Sequence, residues 1–256
     1  MNKTFKAAIA AAVALTCAQG ARADLTISGA VGLPLNPTAQ IPNEGGIRLQ
    51  GNYYDLGNPG GGSIKDYGLF AAGRISDNFE LSGGINKLDV PGGGPLDRVG
   101  GAIGAKYLFT RESDPAGVRF AVGAGYDHAL AENLHVYGVA TKYLGDLTEG
   151  KVPITGHLGL RFDRFDFGGG PGGESDKLSI FAGAEVPLTR TGEFQLVGEI
   201  QSKNLEFAGA KFPYSIGARY RPQGSPFGVS VGWQRQGATA DSGLYLQLGY
   251  TFDTTN

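Results

Sequence analysis

Leu244-Tyr245-Leu246-Gln247-Leu248-Gly249-Tyr250-Thr251-Phe252 near the C-terminus decides the fold. Leu244, Leu246, Leu248, Tyr250 and Phe252 share one parity, and Tyr245, Gln247, Gly249 and Thr251 the other. Side chains of a strand alternate between faces, so one face of this segment is wholly apolar. The same alternation recurs upstream. Ile47, Leu49, Gly51 and Tyr53 stand against Arg48, Gln50, Asn52 and Tyr54, and Val118, Phe120, Val122, Ala124 and Tyr126 against Arg119, Ala121, Gly123, Gly125 and Asp127. The non-apolar parity is too rich in Gly and Ala for a solvated exterior, and it suits the crowded polar interior of a membrane barrel.

Extending this template along the chain predicts twelve strands, at 46–55, 65–75, 79–88, 97–109, 118–127, 134–144, 153–165, 177–188, 194–203, 212–221, 228–235 and 243–252. Each has about ten residues, the length a tilted strand needs to cross the hydrocarbon. The even count fits a single-chain bacterial barrel. The fold expected is all-β, a single up-and-down antiparallel transmembrane barrel occupying 46–252, with 253–256 as a C-terminal tail.

Composition agrees. The 256 residues include 44 Gly, which in helix interiors would cost about 1 kcal/mol each relative to Ala and so excludes a helix bundle. Lys3 and Lys6, the small-residue core Ala7 to Leu15 and the Ala21-Arg22-Ala23 site read as a secretory signal over 1–23. Cleavage after Ala23 removes Cys17, the only cysteine, and with it disulfide and thiolate chemistry. It also removes Lys3, Lys6 and Arg22, leaving 19 basic against 24 acidic residues, net −5, which speaks against nucleic acid as a partner. Residues 24–45 carry Pro34, Pro37 and Pro42 and are not expected to form a central strand. They form either a lead-in beneath the barrel or a plug in its lumen.

The terminal strand resembles the C-terminal signal of Gram-negative outer-membrane β-barrels, although Asp253-Thr254-Thr255-Asn256 follows Phe252 where the aromatic is usually last. The resemblance implies a cell outer membrane location, lipid and lipopolysaccharide around the barrel, and recognition of Gly249, Tyr250 and Phe252 by the barrel-assembly machinery. Gly32-Leu33, Pro37-Thr38-Ala39 and Pro42-Asn43-Glu44-Gly45 are similar to the lead-in of YjbH-type barrels associated with exopolysaccharide.

Function has to be read from the inward parity, because an apolar belt says only where the protein sits. That parity holds Arg48, Arg74, Lys106, Arg119, Lys142, Arg161, Arg219 and Arg221, together with Glu80, Asp127, Asp163, Glu185 and Glu199. The candidates for a pore lining are Arg48, Arg74, Lys106, Arg119, Arg161, Glu185, Glu199 and Arg219. Two readings follow. One is a porin or small channel for polar or anionic solutes, focused by the basic lean of the lumen. The other is a closed structural barrel, serving envelope integrity or polysaccharide export, in which Arg161, Glu185, Glu199 and Arg219 pair across successive strands. A lipid-active enzyme is a third class, but His128, His135 and His157 have no nucleophile assigned beside them, so no catalytic residue is expected. Gly100 to Lys106 lacks the Lys-Ser/Thr ending of a phosphate loop, and Asp163 and Asp166 lack calcium-loop spacing, so neither a cofactor nor a metal is expected.

Overall fold

The computed structural model describes residues 24–42, 46–57, 62–91, 98–111, 117–128, 131–144, 154–167, 173–189, 191–206, 209–237 and 241–253. The signal assigned to 1–23 lies outside the described residues, as does most of the tail. Twelve strands form: β1 (Gly46–Asp55), β2 (Lys65–Ser76), β3 (Phe79–Asp89), β4 (Val99–Thr110), β5 (Val118–His128), β6 (Glu132–Tyr143), β7 (Thr155–Asp166), β8 (Glu174–Pro187), β9 (Phe194–Gln201), β10 (Tyr214–Tyr220), β11 (Phe227–Arg235) and β12 (Gly243–Asp253). Each is antiparallel to the next, and β1 pairs with β12 from Gly46↔Asp253 to Tyr54↔Tyr245, closing the barrel. Closure leaves no edge strand, which is what lets a β-sheet cross a membrane.

The outer surface is apolar in the manner the alternation requires. Ile85, Ile103, Leu158, Ile216 and Leu248 are all more than half exposed, from five different strands. Bulges fall near one rim, between Arg74 and Ser76 on β2 and between Leu108 and Thr110 on β4. The start of β1 and the end of β12 mark this same rim, called here the terminal rim. The opposite rim carries the connection from β9 to β10.

The parity assignment fails on one strand. On β6 the buried residues are Asn133, His135, Tyr137, Val139 and Thr141, so Lys142 points outward and is exposed. Sequence alternation is ambiguous there because Tyr137 and Val139 inside are as apolar as Leu134 and Val136 outside.

Inward glycines do not leave an empty channel. A Cβ on Gly217 or Gly232 would collide with the ring of Tyr245, one on Gly159 with Phe181, and one on Gly84 with Phe70. Each large inward ring therefore lies flat against a neighbouring strand that lacks a side chain at that point. Tyr245, Phe181 and Phe70 are 0–2% exposed as a result.

Residues 24–42 lie inside the barrel. Gly29 adopts φ 91°, a left-handed value that favours Gly, and turns the chain so that Leu25 bridges to Val31. Thr26 N–H donates to the Ala30 carbonyl at 2.7 Å across this turn. A second bridge joins Gly32 to Pro37, and a Cβ on Gly32 would strike the Asn36 carbonyl. The segment is thus a compact double turn, with Leu25, Val31 and Leu33 completely buried.

Candidate functional site: the occupied lumen

Three groups of inward side chains hold the segment, and each satisfies backbone groups that a Pro-rich non-strand leaves unpaired. The first is centred on Asp24. Its carboxylate contacts Arg48 Nη2 at 3.0 Å, Arg221 Nη2 at 3.0 Å and Arg219 Nε, and accepts a hydrogen bond from Ser230 Oγ at 2.8 Å. Burial opposes ionisation of this carboxyl, but Arg219, Arg221 and Arg48 outweigh burial and hold it far below the usual carboxylate range.

The second group is Glu80 on β3 and Lys106 on β4, which face each other in register and pair at 2.9 Å. Glu80 Oε1 accepts from Val31 N–H at 3.0 Å, and Lys106 Nζ donates to the Val31 carbonyl at 2.9 Å. The third is Glu199 on β9. It accepts from Leu35 N–H at 2.7 Å, Asn36 N–H at 2.9 Å, Asn36 Nδ2 at 3.0 Å and Ser215 Oγ at 2.6 Å. Gln50 adds a two-way contact, accepting from Leu25 N–H at 3.0 Å and donating to its carbonyl at 2.8 Å.

A continuous polar chain crosses the lumen through the first group. Ala39 N–H donates to Thr141 Oγ1 at 3.0 Å, and Thr141 Oγ1 lies 2.9 Å from His157 Nδ1. His157 Nε2 is 3.2 Å from Glu185 Oε1, and the other oxygen of Glu185 accepts from Arg219 Nη1 at 2.7 Å. Arg219 then reaches Asp24. Segment residues stand at both ends of this chain, with four strand residues between them.

The structure brings together only part of the expected lining. Arg48, Lys106, Glu185, Glu199 and Arg219 surround residues 24–42, as described. Arg161 turns instead to Asp163, at 2.8 Å along its own strand. Arg74 stands at the terminal rim, paired with Asp77 at 2.7 Å, and Arg119 is half-buried near the same rim. The four-residue network of Arg161, Glu185, Glu199 and Arg219 therefore reduces to the Glu185–Arg219 pair. Glu199 is satisfied by N–H and O–H donors and by no cation among the described residues. Sequence reading missed Asp24 as the counter-charge for three arginines. No periodicity could have signalled it, because Asp24 lies outside every strand.

The histidines divide. His157 is part of the polar chain. His135 stacks on Tyr137 with ring centroids 6.2 Å apart and has its Nδ1 3.5 Å from Asp127 Oδ2. This Asp/His pair faces the lumen rather than lipid, and His135 makes no hydrogen bond with a serine or threonine hydroxyl among the described residues. No cluster of three or more metal-ligating side chains occurs among them either.

No protein-family model matches the chain, and no curated protein does. Solved structures do match. The KdgM porin superposes with TM-score 0.54 at 11% identity, covering 82% of this chain and 99% of that one. The NanC porin gives TM-score 0.54 at 9% identity, covering 82% and 100%. A structure of KdgM in complex with disordered oligogalacturonate gives 0.53 at 10% identity over 82% of this chain and 99% of that one. At these identities the likeness is one of fold alone, a barrel that covers those porin chains almost end to end.

Proposed function

We propose that this protein is an outer-membrane channel for polar or anionic solutes, held closed by its own residues 24–42. The observation that carries the reading is the convergence of Arg48, Arg219 and Arg221 on the Asp24 carboxylate. An arginine cluster of this kind suits a passing anion once Asp24 withdraws. The porin fold supplies the membrane-spanning wall, and transport rather than catalysis accords with the porin likeness.

The extent of the contacts around Val31 and Asn36 favours a second reading, a permanently closed structural barrel. The YjbH-like residues Gly32, Leu33, Pro37, Thr38 and Ala39 belong to the segment that fills the lumen, which fits either reading. Planar-bilayer conductance separates them. The full chain is expected to conduct weakly, and a chain lacking 24–42 to conduct several-fold better with anion selectivity. A deletion chain that inserts and still fails to conduct, or conducts with cation selectivity, overturns the channel reading.

A further inference from the structure

The charged side chains that face the lumen are sorted by depth. β2 carries Asp66 near the distal rim, opposite the termini, and Arg74 near the terminal rim; β5 runs the other way, from Arg119 at the terminal rim to Asp127 at the distal one. Arg48 stands opposite Ala72, and Asp66 lies six residues farther along β2, about 20 Å along the strand.

Two opposed zones result. At the terminal end Arg48, Lys106, Arg219 and Arg221 meet Glu80, Glu185 and Asp24, and Arg74 and Arg119 add to the basic side. At the distal end Asp66, Asp127 and Asp163 meet Arg161. Asn133 Nδ2 donates to Asp127 at 3.3 Å and to Asp163 at 3.1 Å, and Arg161 Nε pairs with Asp163 at 2.8 Å. Asp66, Asp127 and Arg161 line one cavity with Ile27, Ser28 and Leu35 of the lumen segment. Glu199, third from the distal end of β9, extends the acidic zone, and Lys177 at the distal rim is engaged by Glu206 at 2.8 Å. The distal connections outside the described residues, 58–61, 92–97, 129–130, 168–172, 207–208 and 238–240, contain one charged residue in sequence, Asp97, so none of them supplies a cation. Phe70, Tyr137 and Phe181 give the middle of the wall an uncharged surface.

We infer that the open lumen is a rectifying pore, in which Asp66 and Asp127 set selectivity at the distal mouth and the arginines set it at the terminal one. The inference rests on the channel reading above. A bias that brings anions in past Arg48 and cations in past Asp66 fills each zone with its own counter-ions, and the reverse bias empties both. Current is therefore larger at one polarity. A wall whose signs are evenly mixed along its depth conducts equally at both. Charges exposed on the two rims are screened by salt, and those set within the wall much less.

The test is single-channel recording at pH 8 from the full chain, from its Asp24→Asn variant and from the chain lacking 24–42. Conducting forms are expected to show a current ratio of about two or more between opposite polarities in about 0.1 M KCl. That ratio is expected to fall toward one in about 1 M KCl, where the screening length shrinks from about 10 Å to about 3 Å. Placed in a conducting form, Asp66→Asn with Asp127→Asn is expected to abolish rectification and shift selectivity toward anions. Arg119→Gln is expected to reduce rectification and shift selectivity toward cations. Heat-dependent gel mobility confirms folding of each variant, and Asp127→Asn alone carries the test should the double variant fail to fold. Equal currents at both polarities from an open, anion-selective pore overturn this inference and leave the channel reading standing. Rectification unchanged in the folded aspartate variants overturns it as well. No current from any of the three chains overturns the inference together with the channel reading.

Discussion

Glu80 and Lys106 pair at 2.9 Å and between them hold both the N–H and the C=O of Val31. The ion pair thus acts as a missing strand, offering one acceptor and one donor to a peptide unit that has no neighbour in the sheet. Both side chains are within 1% of complete burial.

Breaking a buried pair by removing one charge costs about 3–5 kcal/mol, because the other charge is left without compensation. Glu80→Gln is therefore expected to lower the thermal midpoint by on the order of ten degrees. The double variant Glu80→Gln, Lys106→Met is expected to recover part of that loss. Thermal unfolding of the two in detergent measures it; a double variant less stable than the single one contradicts the account.

Gly217 faces Tyr245 across β11, and a Cβ there would meet the Tyr245 hydroxyl and the Val231 carbonyl. The carbonyl is backbone and cannot step aside. Gly217→Ala is expected to reduce the folded yield sharply, whereas Gly138→Ala, with nothing within 4 Å of the new methyl, is expected to fold normally. Equal yields of the two variants from refolding would remove the packing role assigned to inward glycines.

Much of the wall was legible because alternation is a local property: Ile47, Arg48, Leu49 and Gln50 declare two faces within four residues. The strands expected at 46–55 and 243–252 match β1 and β12 to within one residue. The charge pairing was not legible. Glu199 lies 164 residues from Leu35, and no periodicity links them. Two of its partners are backbone N–H groups, which leave no trace in residue type. Lys142 was misplaced for a different reason, since β6 is apolar on both faces around Tyr137 and Val139.

Phe252 pairs in register with Ile47 and packs on Tyr250 with ring centroids 4.5 Å apart. It is 43% exposed, on the outer face, and touches no lumen group. We expect Phe252→Ala to lower the amount of folded barrel in the outer membrane while leaving the conductance of the folded fraction unchanged. Quantitative heat-modifiability gels and single-channel recordings on the same preparation check both halves. Undiminished yield with altered conductance would move Phe252 from assembly to transport.

Asp24 keeps its own hold on the lumen segment insensitive to mild acid. Its carboxyl sits far below its ordinary value near 3.8, because Arg219, Arg221 and Arg48 outweigh the burial that opposes ionisation. A depressed carboxyl contributes its stability fully above the ordinary value and loses it only as pH falls through the depressed one. The Asp24 contacts should therefore persist from neutral pH down to about pH 4, with their loss confined to stronger acid. Asp24→Asn removes the countercharge at every pH and leaves three guanidinium groups facing one another. Its lumen is expected to open at neutral pH, giving higher conductance, anion selectivity and protease cleavage within 24–42. The paired measurement is conductance of both proteins between pH 7 and pH 4. An Asp24→Asn barrel that stays closed at pH 7 shows that the Glu80–Lys106 and Glu199 contacts hold the segment without this carboxylate, and a wild-type barrel that opens at pH 5 to 6 shows that those carboxylates, and not Asp24, set its acid response.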